Sequence, residues 1–259
     1  MMNSQVQVLD ALQIDIVPED IAQPTETKPN TKRIGAMAAD VLARVQGKWR
    51  PRAIIRWLAV ERKGGGGDVG DGGDGGDGMM VLRYIKDGVA VGEAACLNLG
   101  FSCSLMASAH YGLAGVFTAG DELEKHAIRA SKEKRYLEAY ILDGIALAVL
   151  EKTRQHINRV VEEKAAEMNW GIGPFLSPGS VHGWELEDQK NLCKLLPLEK
   201  IGVTAEQNGI FTPFKTLSAL VGIGPGFSEK TVGSPCDVCS RKERCVMRRA
   251  TNAPSSIFL

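Results

Sequence analysis

Eleven residues near the C-terminus constrain this chain more than any other stretch, because three thiols within them must converge on one point. They read Pro235, Cys236, Asp237, Val238, Cys239, Ser240, Arg241, Lys242, Glu243, Arg244, Cys245, a C-x2-C-x5-C run that holds three of the chain's six cysteines. Two thiolates separated by two residues face one metal from a tight turn, and a third returns after one further loop. Pro235 stiffens the entry. Arg241, Lys242, Arg244, Arg248 and Arg249 put positive charge beside the sulfurs. That charge favours thiolate over thiol and offsets the negative charge of a cysteine-ligated cluster. The pattern favours metal or cluster ligation over disulfides or unliganded thiols. A fourth ligand has to come from elsewhere in the chain.

A length of 259 residues allows one large domain or two small ones. Hydrophobic residues at 44% and charged residues at 24% are ordinary for a globular protein. The formal net charge is zero, so no basic excess steers the chain to nucleic acid or to an anionic membrane. The first ten residues lack a positive region followed by an apolar run, and no secretory signal is expected. The apolar run 141–150 is too short to cross a bilayer and includes Asp143. The expectation is a cytoplasmic protein of mixed α and β structure, with no nucleic-acid or membrane partner.

Residues 1–33 read as an N-terminal strand or arm and a linker. Ile34, Met37, Val41, Leu42 and Val45 recur at helical spacing, and residues 53–60 are short, branched and bounded by Pro51, as a buried strand is. Residues 64–78 are low in complexity and repeat every three residues without apolar positions, unlike a calcium-binding β-roll. They read as a solvated loop elongating a hairpin-type connection, before 79–85 resume the sheet and Lys86, Asp87 and Gly88 turn. In 89–103, Cys96 and Cys103 lie seven apart. That spacing suits one face of a helix and a shared site, or two small core residues. Residues 112–118 read as a strand entering a helix whose N-terminus carries Asp121 and Glu124 in a capping-box pattern.

Residues 134–169 form the longest helical segment, with a wide apolar face at first and a narrower one after. Its charges form a solvated face, and Asp143 within the apolar stripe is expected to pair with or cap a neighbour. Residues 171–184 are a Gly- and Pro-rich loop in which His182 is either a ligand contact or a hydrogen-bonded loop histidine. A short helix over 187–196 carries Cys193. Residues 201–214 then form an antiparallel hairpin turned by Asn208 and Gly209, and 217–223 a last strand.

Taken in order, these pieces resemble the activation domain of cobalamin-dependent methionine synthase, in its short stand-alone form. The matching residues are Thr118, Ala119, Gly120, Asp121 and Glu122 after a strand; the helix from Tyr136 to Glu151; and Ser177, Pro178 and Gly179. They continue with Glu185, Leu186, Glu187, Asp188 and Gln189, then Ile201, Gly202, Val203 and Thr204. The resemblance covers residues 112–226 most strongly; the cysteine run is an appendage to it. It implies an α/β (α+β) fold, with a twisted, mainly antiparallel sheet flanked by helices and a C-terminal metal-binding tail. The domain so implied spans 34–230, and 231–259 form the cysteine-rich iron–sulfur segment.

In that family the domain binds S-adenosylmethionine and docks on a corrinoid domain while an inactive corrinoid is reduced and remethylated. The family's ligand loop reads Arg-x-x-Pro-Gly-Tyr. Here Pro178 and Gly179 stand in a frame of Phe175, Leu176, Ser177 and Ser180, without the arginine or the tyrosine. From the family's motif only the turn-forming Pro178 and Gly179 carry over; with the flanking Ser177 and Ser180, and with His182 of the same Gly- and Pro-rich loop, they are the candidate cofactor-binding residues. Weak or absent S-adenosylmethionine binding is expected.

Two functions of different class follow. One is a redox accessory protein, with a 4Fe–4S cluster on Cys236, Cys239, Cys245 and a fourth ligand, Cys193, feeding one electron to a partner's corrinoid. Cys96, Cys103 and His182 are further candidates for the fourth position. The other is a non-redox module that docks the same partner and is stapled by zinc, which accepts four thiolates or three with an imidazole. Methyl transfer from S-adenosylmethionine ranks below both, since no Gly-rich dinucleotide fingerprint follows a strand.

Overall fold

The computed structural model describes residues 2–10, 12–21, 31–62, 78–180 and 184–234. In chain order its regular elements are β1 (Gln7–Leu9), α1 (Thr31–Val45), β2 (Arg52–Arg62), β3 (Met79–Lys86), β4 (Val89–Asn98) and β5 (Tyr111–Thr118). They continue with α2 (Glu122–Lys132), α3 (Tyr136–Glu167), β6 (Gly171–Ile172), α4 (Gln189–Cys193), β7 (Thr204–Ala205), β8 (Phe211–Thr212) and β9 (Thr216–Gly224). Short 3-10 turns occupy Gly100–Met106, Leu186–Asp188 and Leu198–Ile201.

The centre of the molecule is β2, because its sequence is apolar on both sides of the pleat. Ala53, Ile55 and Trp57 face one core and Ile54 and Leu58 the other, all at 3% exposure or less. A strand buried on both faces needs a layer on each. On the first side lie α1 and α3, with Val41, Ile145, Val149 and Ile157 packed against Phe117 and Val221. On the second lie the 100–106 turn and the short helical segments of 186–201, with Leu192, Leu195 and Leu196 against Leu97, Val116 and Leu220. Full burial of each such side chain contributes roughly 1.5–3 kcal/mol.

The sheet runs β4-β3-β2-β5-β9-β6, with β1 on β2, and among the described residues its strand pairs are all antiparallel. This is the mainly antiparallel, helix-flanked sheet expected. β2 and β3 pair directly across the Gly/Asp insertion, as a hairpin-type connection requires, and the turn to β4 uses Asp87 and Gly88 at positive φ. Residues 63–77 lie outside the described residues. β7 and β8 make the small hairpin around Gly209, at φ +82°.

Three readings need correction. No helix carries Cys96 and Cys103: Cys96 is on β4 opposite Val81 of β3, and Cys103 is buried in the 3-10 turn. Sheet pairing outweighs a seven-residue spacing that on its own suits a helix. The capping box at α2 does not form. Asp121 caps no helix N–H and pairs with Lys125 at 2.7 Å, while Glu124 Oε2 accepts the Phe214 N–H at 2.9 Å. The segment after the Gly- and Pro-rich loop is a 3-10 turn and the five-residue α4, shorter than the helix expected there.

Candidate functional site

The Gly- and Pro-rich loop becomes one wall of a groove of about 490 Å³. Ser177, Pro178, Gly179 and Ser180 face Leu147 and Leu150 of α3, and Leu186, Gln189, residues 209–211 and residues 214–218 complete the lining. The loop holds its shape by backbone bonds. Gly179 donates its N–H to Trp184 O at 2.8 Å, and the Ser180 hydroxyl turns back to Ser177 O at 2.7 Å. Gly179 sits at φ +76°, where a Cβ would press on Leu186, so the turn-forming role of Pro178 and Gly179 is kept. His182 lies outside the described residues, and so do Cys236, Cys239 and Cys245.

The floor of the groove is a buried polar network. Ser218 Oγ donates to Gln189 Oε1 at 3.0 Å, Gln189 Nε2 donates to Gly209 O, and Ser177 Oγ lies 3.3 Å from Ser218 Oγ. Ser218 has a single proton and gives it to Gln189, so Ser177 is the donor in the serine pair. Thr216 Oγ1 lies 2.9 Å from Thr118 Oγ1 and 2.7 Å from Pro213 O. Beneath the loop, Asp188 accepts from Trp184 Nε1 at 2.9 Å, Asn98 N at 3.0 Å and Asn191 Nδ2 at 2.7 Å. That carboxylate anchors the loop to β4.

Charge is sparse here. Among the described residues, Lys215 is the charged side chain that lines the groove, and its Nζ lies 2.7 Å from Asp143 Oδ1 and 4.8 Å from the Phe214 ring centroid. Asp143 therefore has the partner its place in an apolar stripe called for. A ligand in this groove meets apolar walls, hydroxyls and an amide, with no carboxylate in the lining. Phe175, at the position of the family's arginine, points into the core at 3% exposure, edge-on to Phe117 and beneath the Arg154 guanidinium at 5.7 Å.

Cys193 lies four residues after Gln189 on α4, on the same helix face. Its thiol is 7% exposed within the second core, and burial pushes its pKa up to about 12. Cys103 is also buried, with Sγ 3.9 Å from Met79 O. Among the described residues, no three His, Cys, Asp or Glu side chains are grouped as a metal site. The last described residues pack along the segment that leads into the loop. Gly233 bridges Pro174 in parallel, its carbonyl accepts the Phe175 N–H at 3.0 Å, and Glu162 accepts the Val232 N–H.

Gln189, Ser218 and Lys215 were given no role from sequence. For Ser218 the signal is its recurrence with Thr216 at period two, on the face shared with Leu220, in an otherwise apolar strand; Gln189 and Lys215 have none.

No protein-family model matches this chain, and no curated protein matches it. Among solved structures it is similar to the MetH reactivation domain in its crystal structure bound to AdoHcy. The TM-score is 0.58 at 13% identity, covering 99% of this chain and 91% of that one. The mixed α/β fold with an antiparallel sheet flanked by helices is shared. Among the described residues no helix is long and apolar enough to cross a membrane.

Proposed function

We propose that this chain is an accessory protein that docks on a corrinoid-bearing protein or domain and passes it one electron for reductive activation. Cys236, Cys239 and Cys245, with Cys193 as fourth ligand, would hold a 4Fe–4S cluster; such a cluster supplies single electrons at a potential set by burial, hydrogen bonds and nearby charge. The observation that carries this reading is the placement of Gly233. The similar solved domain is named for reactivation, and Gly233, three residues before Cys236, bridges Pro174, three residues before Ser177 of the groove wall. A cysteine-ligated centre begun there would sit beside the surface that, in the family resembled, faces the corrinoid. Electron transfer needs that proximity.

The loop supports the same reading. A groove without the family's arginine or a lining carboxylate suits a partner's neutral, amide-bearing surface better than a charged amino-acid sulfonium. Reduction alone would then be the task.

The test is anaerobic purification followed by iron, sulfide and zinc analysis. About four iron and four sulfide per chain are expected, with most lost in Cys236→Ala, Cys239→Ala or Cys245→Ala. Stoichiometric zinc without sulfide would sink the redox reading and leave a zinc-stapled, non-redox docking module.

A further inference from the structure

We infer that a second copy of this chain covers the groove: α3 of one copy lies antiparallel on α3 of the other about a two-fold axis, and Tyr136 and Tyr140 of each enter the groove of the other. A stripe on α3 is suited to this. Tyr136, Tyr140, Asp143, Leu147 and Leu150 follow one another at steps of four, three, four and three, the spacing by which one helix presents a seam to another. The two tyrosines project, at 64% and 58% exposure, while Leu147 and Leu150 lie in the groove. Tyr140 and Asp143 border a second hollow of about 480 Å³ between α2 and α3, and Phe214 and Lys215 line both hollows. The seam joins them into one surface.

Three observations select a second copy as the cover. The first is shape. Asp143 is seven residues from Tyr136 and seven from Leu150, about 10 Å of helix each way. An axis at Asp143 therefore sets Tyr136 opposite Leu150 and Tyr140 opposite Leu147. Each copy supplies two projections and one groove, the self-complementarity that an isologous interface requires. The second is apolar exposure. Twelve large apolar side chains are exposed among the described residues, and Ile128, Tyr136, Tyr140, Leu186, Ile210 and Phe214 make up half of them on this face. Such a concentration marks a surface that is covered in use. The third is charge. The last turn of α2, beside the tyrosines, carries exposed Arg129 and Lys132. At the groove's mouth exposed Glu185 and Glu187 flank Leu186, and exposed Glu206 bonds through its N–H to Ile210 O. The two-fold brings basic end to acidic mouth on both sides. At the axis Asp143 is already paired with Lys215 at 2.7 Å, so no lone charge is buried.

The interface needs the groove and α3 but no metal, so its failure and the failure of the redox reading are distinguishable. A corrinoid-bearing partner docking in the groove would first part the two copies, and docking would be coupled to dissociation.

The experiment uses the full chain, prepared anaerobically with reductant so that no disulfide joins copies, in sedimentation equilibrium. A mass of two chains is expected, with a Kd on the order of μM or tighter. Tyr140→Asp, at a position exposed in the single chain, should weaken association by about tenfold or more, as loss of an anchoring aromatic does. Arg129→Glu with Lys132→Glu should also weaken it, and adding Glu185→Lys with Glu187→Lys should restore it. Tyr136→p-benzoylphenylalanine, in a mixture of isotopically labelled and unlabelled chains, should on irradiation join unlike copies through peptides covering 177–180 and 209–218. Within one chain position 136 is about 20 Å of helix from Leu150, so such adducts report the other copy. Association indifferent to Tyr140→Asp, or adducts between copies confined to other regions, would overturn the proposal. A mass of one chain at every concentration would overturn it too, and leave this face to a different partner.

Discussion

Ser218 Oγ donates a 3.0 Å hydrogen bond to Gln189 Oε1, and the same amide donates from Nε2 to the Gly209 carbonyl. One side chain so ties β9, α4 and the β7–β8 turn together under the groove. Gln189 is 4% exposed and Ser218 1%, so water is a poor substitute for either partner.

Gln189→Leu keeps the volume and removes both bonds. It should cost about 1–3 kcal/mol for each buried partner left unpaired, read as a lower midpoint in chemical denaturation. Adding Ser218→Ala should cost less than its effect in the parent, since the two share one network. A midpoint equal to the parent's would contradict the network.

Cys193 is either a metal ligand or a small core residue, and pH separates the two. Its thiol is raised from 9.0 to about 12 by burial, so the folded state holds the proton more tightly than the unfolded one. The stability this contributes is fully present below pH 9 and is lost as pH rises toward 12. In metal-free protein, Cys193→Ala should therefore flatten the alkaline loss of stability. If Cys193 is a ligand, that dependence disappears in loaded protein, where the thiolate already exists. Cys193→Ser then lowers iron content and alters the electron paramagnetic resonance spectrum. Unchanged iron and spectrum would remove Cys193 from the ligand set and turn the test to Cys103.

Calorimetry with S-adenosylmethionine should give weak or undetectable binding. Phe175 is committed to the core, the Ser180 hydroxyl to Ser177 O, and Lys215 to Asp143, so none is free for a charged amino acid. Tight, stoichiometric binding would restore the methylation reading.

Removing residues 64–77 and joining the flanks by a short turn should leave metal content unchanged and stability within about 1 kcal/mol of the parent, on the favourable side, because closure entropy falls with loop length. Gly78 has to stay: it sits at φ +61°, and a Cβ there would lie 2.5 Å from Gly100 Cα. Gly78→Ala should be destabilising by about 1–3 kcal/mol or more. A calcium-dependent rise in Tm that vanishes with the deletion would show that the insertion is a metal loop.

The two-sided apolar runs of β2, β5 and β9, the amphipathic length of α3 and the turns at Asp87–Gly88 and Gly209 were legible in the sequence. Each follows from the side chains of neighbouring residues, and burial and backbone preference act at that range. The groove could not be read that way. Ser177, Gln189 and Ser218 lie up to 41 positions apart and meet only because β9 and α4 pack on one side of the sheet. Glu124 has the sequence of a cap, yet it bonds Phe214, 90 positions away; Cys96 has the spacing of a helix, yet it pairs with Val81 in a strand. Local pattern settles which residues must leave water. Which polar partners they meet there is set by the pairing of distant strands, and that exists only once the sheet has closed.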